Sequence, residues 1–404
     1  MAIGTAVARG RERRAMKPCE DHGVHESPGH GSPEYRSTGV DYAALDAGKR
    51  DALTAALATS GLLASEHGGR AIDASRGEPA FVFEFAGRHF AQVLEGLGTK
   101  SIIARQVEEQ LGENHFDAVA FDTVAAIVND LCCVGALPLV INAYFATGLS
   151  EWYQHAERQA ALLDGWQRAC AEAGATWGGG ESPSLPGLVA EQEIELAGSA
   201  IGVVPSGHAP ILGAELADGD EIVFVASSGL HANGSSLARL IVKDLPNGYA
   251  TVLADDERRR TFGQALLAPT VLYAPLVRAL LEDDLPIHYL SHITGHGLLK
   301  LMRPRHDFTY RITTVSPVPA VLRFMVERTQ MSPAAAYSTF NMGCGYAVYC
   351  AAGFGDRVIE AARRLGLDAH AAGVVEAGPR RVVIAPLDIV YESDAMDLTP
   401  RRAA

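Results

Sequence analysis

Apolar and polar positions in GVDYAALDAGKRDALTAALATSGLL, from Gly39 onward, alternate at helical spacing, which predicts an amphipathic helix. PAFVFEFAG and HFAQVLEG alternate with period two, as paired strands do. FDTVAAIVNDLCCVGA reads as a helix ended by Gly135, and LPLVINAYFATG as the strand after it. SEWYQHAERQAALLDGWQRACAEAG is a further helix closed by Gly174, TWGGGESPSLPGLV a loop, and EIELAGSAIGVV a strand. A second unit opens with the strand in ADGDEIVFVASSG. It continues with LHANGSSLARLIVKDL as a loop into a helix, APTVLYAPLVRALLED as helix and IHYLSHITGHGLLKLMR as a loop into a helix. Strands and helices then alternate through RVVIAPLDIVY. The expected organisation is a tail over 1–36, α+β domains over 37–205 and 206–393, and a tail over 394–404. No short repeat occurs.

The polar start is rich in Gly, Pro, His and charge and reads as disordered, with Met16 a candidate start and His22, His25 and His30 a solvated cluster. It carries no secretory pattern, and no apolar run reaches the ~18 residues that suggest a membrane span. A net charge of −14 argues against broad nucleic-acid or anionic-membrane binding, but not against a nucleotide. The six cysteines have neither CxxC nor zinc spacing and read as reduced thiols of a cytoplasmic protein.

The helix FDTVAAIVNDL carries Asp122, Asn129 and Asp130 among its apolar residues. Seven residues turn a helix by roughly 700°, which stacks Asp122 and Asn129 and puts Asp130 beside them. Buried carboxylates need partners. Either Mg²⁺ supplies one, or Asp122 caps the helix and the other two bond a neighbouring loop. EGLGTK, 95–100, is a Gly-rich turn ending in Lys100 that lets backbone amides and a cation approach a phosphate, without the spacing of a P-loop. Glu95 and Glu181, the latter in GGGES, add carboxylates. SSGLHANGSSLAR holds His231 and Asn233 before a helix N-terminus that favours anions. SHITGHG holds His292, Thr294 and His296, and Asn341 precedes a Gly-flanked strand. A GxSxG elbow is absent, which sets aside a serine hydrolase.

In this order, GVDYAALDAGK, EGLGTK, DTVAAIVNDLCCVGALPL, YFATG, GGGES, LAGSAIGVV, ASSGLHANGSSLAR, APTVLYAPLV, SHITGHGLLK and FNMGCGYAV resemble the aminoimidazole ribonucleotide synthetase family, the phosphoribosylformylglycinamidine cyclo-ligases. The resemblance runs from about 38 to 390. Departures are Glu95 where the family has Asp, Ser182 in the GGET motif, Asn142 near the usual Asp of DYFATG, and His296 in HxTGGG. A Gly-rich segment expected before the first strand is replaced by HGGRAIDASRGEP. These changes leave the substrate open.

The resemblance implies an α+β fold of two domains, the N-terminal one forming a β-barrel across a homodimer and the C-terminal one α/β. It implies ATP and Mg²⁺ in a long cleft, a small-molecule substrate, and no nucleic acid or membrane partner. The amide oxygen of formylglycinamidine ribonucleotide would be phosphorylated, and the amidine nitrogen would close the imidazole ring with release of ADP and phosphate. Glu95, Asp122, Asp130 and Glu181 would hold Mg²⁺. Gly96, Gly98, Thr99, Lys100, Asn129, Gly179 and Gly180 would bind the nucleotide. His231, Asn233, His292 and Lys100 would act on the substrate, with Asp41 and Lys49 folding over the cleft. Competing readings are a small-molecule kinase, a paralogue activating another amide, formamide or carboxylate, and a nucleotide-binding scaffold.

Overall fold

The computed structural model describes Gly39 and residues 42–396. The expectations for Cys19, the tail histidines, Asp41 and the end of the chain fall outside them.

Helices α1 (Tyr42–Leu57) and α2 (Leu62–His67) lead into β1 (Arg70–Ala71), β2 (Phe81–Phe85) and β3 (Arg88–Gly96). Helices α3 (Lys100–Leu111) and α4 (Phe116–Cys132) follow, then β4 (Leu137–Thr147), α5 (Ala156–Ala173), β5 (Thr176–Glu181) and β6 (Ile194–Val203). The six strands form one sheet in the order β1-β2-β3-β6-β4-β5, with only β4–β5 parallel. It does not close on itself, so the described residues of one chain build no barrel. Helix α4 lies on its inner face with all but two of its residues buried. Asn114 Oδ1 accepts the Phe116 backbone N–H at 3.0 Å at its start, and Gly135, at φ 74°, turns the chain just past its end. Asp122 therefore sits beyond the first turn and cannot cap the helix.

The second unit contains β7 (Glu221–Ala226), α6 (Ser235–Ile241), α7 (Phe262–Leu266), α8 (Ala274–Glu282), β8 (Ile287–His292), β9 (Phe308–Ile312), α9 (Ala320–Thr329) and α10 (Pro333–Tyr337). It ends with β10 (Cys344–Cys350), α11 (Gly355–Arg364), β11 (Ala369–Ala377), β12 (Arg381–Ile384) and β13 (Ile389–Glu392). The seven strands run β13-β12-β9-β11-β7-β10-β8, antiparallel except β12–β9. Strand β10 is buried along its whole length, as its near-continuous apolar sequence requires.

Four expected elements differ from the structure. SEWYQ is a separate 3₁₀ turn, Ser150–Gln154, and the helix after it begins only at Ala156. TWGGGE is a strand rather than a loop, because its glycines serve close packing. A Cβ on Gly180 would stand 2.1 Å from the Ala143 carbonyl oxygen of β4. GLLKLM forms a short 3₁₀ turn, Gly297–Met302, rather than a helix. APTVLY is irregular, and the helix begins only at Ala274, with a proline in its first turn. The irregular stretch meets helix α4. The Asn129 amide donates to the Val271 carbonyl at 2.9 Å and accepts the Tyr273 N–H at 2.8 Å, fastening the two units together.

Candidate functional site

A cleft of about 410 Å³ opens where α4, the end of β3 and the loop after β8 meet the loop before α6. Glu95, Gly96, Asp130, His231, Asn233 and His292 all line it. Lys49 and Arg50 of α1 border it as well, and His296 Nε2 lies 3.0 Å from Asp46 Oδ2 of the same helix. His296 has φ 71°, a left-handed conformation that ordinarily suits glycine.

His292 Nδ1 is 2.7 Å from Asp130 Oδ1. Burial pushes the imidazole pKa down despite the carboxylate, so the ring is neutral at pH 7 and donates Nδ1–H to Asp130. Burial tends to raise Asp130, but the His292 hydrogen bond and the Lys300 and Arg303 charges hold its carboxyl at about 2. With the proton on Nδ1, His292 Nε2 is a bare acceptor, and it is buried without a hydrogen-bond partner.

His231 has the opposite polarity. Its Nε2 accepts the Ser228 backbone N–H at 3.2 Å, which leaves the proton on Nδ1. That Nδ1–H is buried and unpartnered. Burial, then the nearby His292 and Lys100, keep the imidazole neutral. His231 also holds φ 60°, a conformation that costs about 1–3 kcal/mol for a non-glycine residue and concentrates at functional sites. The two rings flank Tyr273, at 6.4 and 6.5 Å between centroids. Gly345 permits this packing, since a Cβ there would meet Tyr273 Oη at 1.9 Å.

Glu95 hydrogen-bonds Asp130. Burial, then the Asp130 charge, push its carboxyl up to about 8, so the pair shares a proton at neutral pH. Lys300, whose importance the sequence did not signal, places its ammonium at this end. Its Nζ donates to the His292 carbonyl at 3.2 Å and to Thr294 Oγ1, and burial brings its pKa down to about 8. The only hint was a lysine inside the apolar run GLLKLM.

Other expected site residues stand elsewhere. Lys100 and Asp122 are fully buried and paired with each other, outside the cleft lining. Lys100 also donates to the His231 carbonyl at 2.7 Å, and Asp122 accepts the Thr270 N–H at 2.6 Å. Asn129 is spent on Val271 and Tyr273. Thr99 Oγ1 meets Ser236 Oγ at 3.1 Å, and Gly98 takes φ 73° before α3. Glu181, Gly179 and Gly180 lie on β5, the sheet edge, with β6 and β4 between them and Glu95 on β3. Among the described residues, no group of three or more His, Cys, Asp and Glu side chains is arranged to hold a metal. The four carboxylates expected around Mg²⁺ thus do not converge in one chain. Glu95 and Asp130 are the two that face the cleft.

Residues 77–204 match the family "AIR synthase related protein, N-terminal domain", and residues 217–385 match its C-terminal domain. The chain belongs to this family. It is 38% identical over 290 residues to the phosphoribosylformylglycinamidine cyclo-ligase of Anaeromyxobacter sp. (strain Fw109-5), covering 70% of this chain and 79% of that one. It is 33% identical over 294 residues to the cyclo-ligase of Alkaliphilus oremlandii (strain OhILAs), covering 72% and 82%. Solved structures share the fold. The HypE–HypF complex superposes with a TM-score of 0.52 at 18% identity, over 76% of this chain and 89% of that one. AaThiL complexed with AMPPCP and TMP superposes with a TM-score of 0.51 at 17% identity, over 78% and 91%.

Proposed function

We propose that this protein is an ATP-dependent cyclo-ligase that converts formylglycinamidine ribonucleotide to aminoimidazole ribonucleotide, ADP and phosphate, the purine-biosynthetic activity that gives its relatives their name. The observation that carries the reading is the pair of unpartnered imidazole nitrogens in one buried cleft, one a donor and one an acceptor.

Ring closure needs both. An amide oxygen is a poor leaving group, and phosphorylation by ATP makes it a good one. The His231 Nδ1–H donates to the amide oxygen and orients it toward the γ-phosphoryl group. Asn233, on the cleft wall, fixes the amidine. As the amidine nitrogen attacks the carbon that bears the phosphorylated oxygen, His292 Nε2 takes its proton. Asp130 holds the imidazole in the accepting tautomer and stabilises the imidazolium that forms. The C–O bond then breaks and phosphate leaves with its electron pair, beside the Lys300 ammonium. Buried Lys100 supports the His231 loop from behind. Mg²⁺ suits Glu95 and Asp130, since a carboxylate pair sharing a proton has room for a cation in its place, and nucleotide phosphates with one or two carboxylates are its usual ligands. It would neutralise charge on the transferred group.

The outer face of the N-terminal sheet supports a homodimer. Phe85, Leu94, Leu139 and Ile201 are exposed there on four strands, and a second copy laid on that face would complete a barrel. A β5 edge brought near the partner's cleft would also give Glu181 a role. A cytoplasmic location fits the five described cysteines, all free and buried. His296, held by Asp46 and departing from the HxTGGG motif that this loop resembles, favours as a second reading a paralogue that activates a different amide.

The test is incubation of the purified protein with formylglycinamidine ribonucleotide, ATP and Mg²⁺, followed by mass spectrometry. One aminoimidazole ribonucleotide per ADP establishes the reading. ADP formation without ring closure, together with turnover of another amide, establishes the paralogue.

A further inference from the structure

A second cavity, of about 200 Å³, adjoins the cleft and shares Gly77, Glu78 and Arg303 with it. Its lining is cationic: Arg76, Arg303, Arg305, Arg380 and His306 against Asp73 and Glu78. Burial raises the Glu78 carboxyl, which accepts the Tyr289 hydroxyl at 2.6 Å, so its negative charge there is weakened. In a chain of net charge −14, such a concentration of guanidinium groups is a local inversion of sign.

Two of these arginines hold unused donors. Arg303 Nε and Arg76 Nε are both buried without a hydrogen-bond partner. Arg76 is fixed by its Ser60 contact at 2.7 Å and by stacking on Phe81 at 4.2 Å, and Arg380 by the Met302 and Met396 carbonyls at 2.8 Å. Guanidinium groups already fixed in place lose little entropy on binding an anion, and their planar fork matches phosphate oxygens. An unsatisfied buried donor is costly, and a phosphate would relieve it.

We propose that this cavity is a phosphomonoester subsite that holds the phosphoribosyl end of the substrate while the amide lies between His231 and His292. The assignment rests on the cyclo-ligase reading for the identity of the substrate, but the chemistry of the pocket, a dianion on a sugar, stands on its own lining. Arg303 lies on the wall common to both cavities, so one molecule can span them. Sequence reasoning gave these arginines no role, since RPRH falls in none of the motifs it singled out.

The experiment is calorimetric titration of the full-length protein with ribose 5-phosphate, ribose and inorganic phosphate, for the wild type and the Arg305→Gln and Arg303→Gln variants, with KM and kcat measured alongside. Arg305 is exposed, so its variant tests the site even if Arg303→Gln fails to fold. The expected result is binding of ribose 5-phosphate but not ribose, weakened about ten- to a hundredfold in Arg305→Gln. KM for the ribonucleotide should rise similarly, with KM for ATP unchanged. Tighter binding of inorganic phosphate than of ribose 5-phosphate would overturn the assignment to a sugar phosphate. Equal ribose 5-phosphate affinity in wild type and Arg305→Gln would overturn the subsite altogether. Arginine-dependent ribose 5-phosphate binding by a protein that makes no imidazole would uphold the subsite and reject the cyclo-ligase.

Discussion

Helix α4 carries two kinds of buried acid, and their surroundings differ. Asp122 is enclosed by Lys100 and the Thr270 amide, with no solvent exposure on either side chain of the pair. Asp130, two turns on, faces a cleft, and the histidine it orients keeps an unpartnered nitrogen. Both acids are buried, but the two Asp122 oxygens are taken by Lys100 and the Thr270 N–H, whereas Asp130 orients a cleft histidine whose second nitrogen is unpartnered. The first arrangement holds the two units in register, and the second is equipped for chemistry. Burial of a charge does not by itself mark a catalytic residue. An unsatisfied atom beside it is the better sign.

The sharpest way to break this comparison is to remove one member of each pair. Lys100→Met leaves Asp122 buried and uncompensated, and should lower the unfolding free energy by about 3–5 kcal/mol in urea melts. A companion Asp122→Leu should restore much of that. If Lys100→Met keeps full stability and loses only turnover, Lys100 belongs with the chemistry after all. His292→Asn retains a donor for Asp130, so its melting should stay close to wild type while kcat falls by about 10²–10⁴-fold. A loss of stability without a loss of rate would reverse the contrast.

A finer test uses pH. Glu95 holds its proton more tightly when folded, at about 8, than at its ordinary 4.5. Its contribution to stability is therefore full below pH 4.5 and lost as pH rises through about 8. Asp130 has the opposite sign, contributing above its ordinary 3.8 and losing that contribution as pH falls through about 2. Glu95→Gln should flatten the decline in unfolding free energy between about pH 5 and 8 in the nucleotide-free protein. An unchanged slope would show that Glu95 is ionised there. The smallest expected effect is that of His296→Gly. It removes the bond to Asp46 but relieves a left-handed residue worth roughly 1–2 kcal/mol, so the melting temperature should hardly move while KM rises as α1 loosens. A large drop in melting temperature would make His296 a structural latch.

Much of this was legible from the order of residues. Period-two runs located β2 and β3, and the apolar stretch from Phe121 to Leu131 located α4. Glu95, Asp130, His231, Asn233 and His292, read from separate motifs, come to one cleft. What sequence could not supply was partnership. Nothing in EGLGTK shows that Lys100 turns inward to an acid 22 residues away, or that Lys300 reaches the carbonyl of His292. Those contacts depend on how helices and loops from two units meet. The glycines of GGGE read as a turn because local sequence cannot distinguish freedom of φ from the need to clear a neighbouring strand. Glu181 was counted with the other acids because its motif is acidic and flexible, and only sheet order reveals the strands between them.

The most direct measurement of the central claim is the fate of the substrate's formyl oxygen. With that oxygen labelled as ¹⁸O and ATP and Mg²⁺ present, the account predicts one labelled oxygen in the inorganic phosphate released with each imidazole formed. Label recovered in water, with unlabelled phosphate, would contradict activation of the amide by phosphoryl transfer in this cleft.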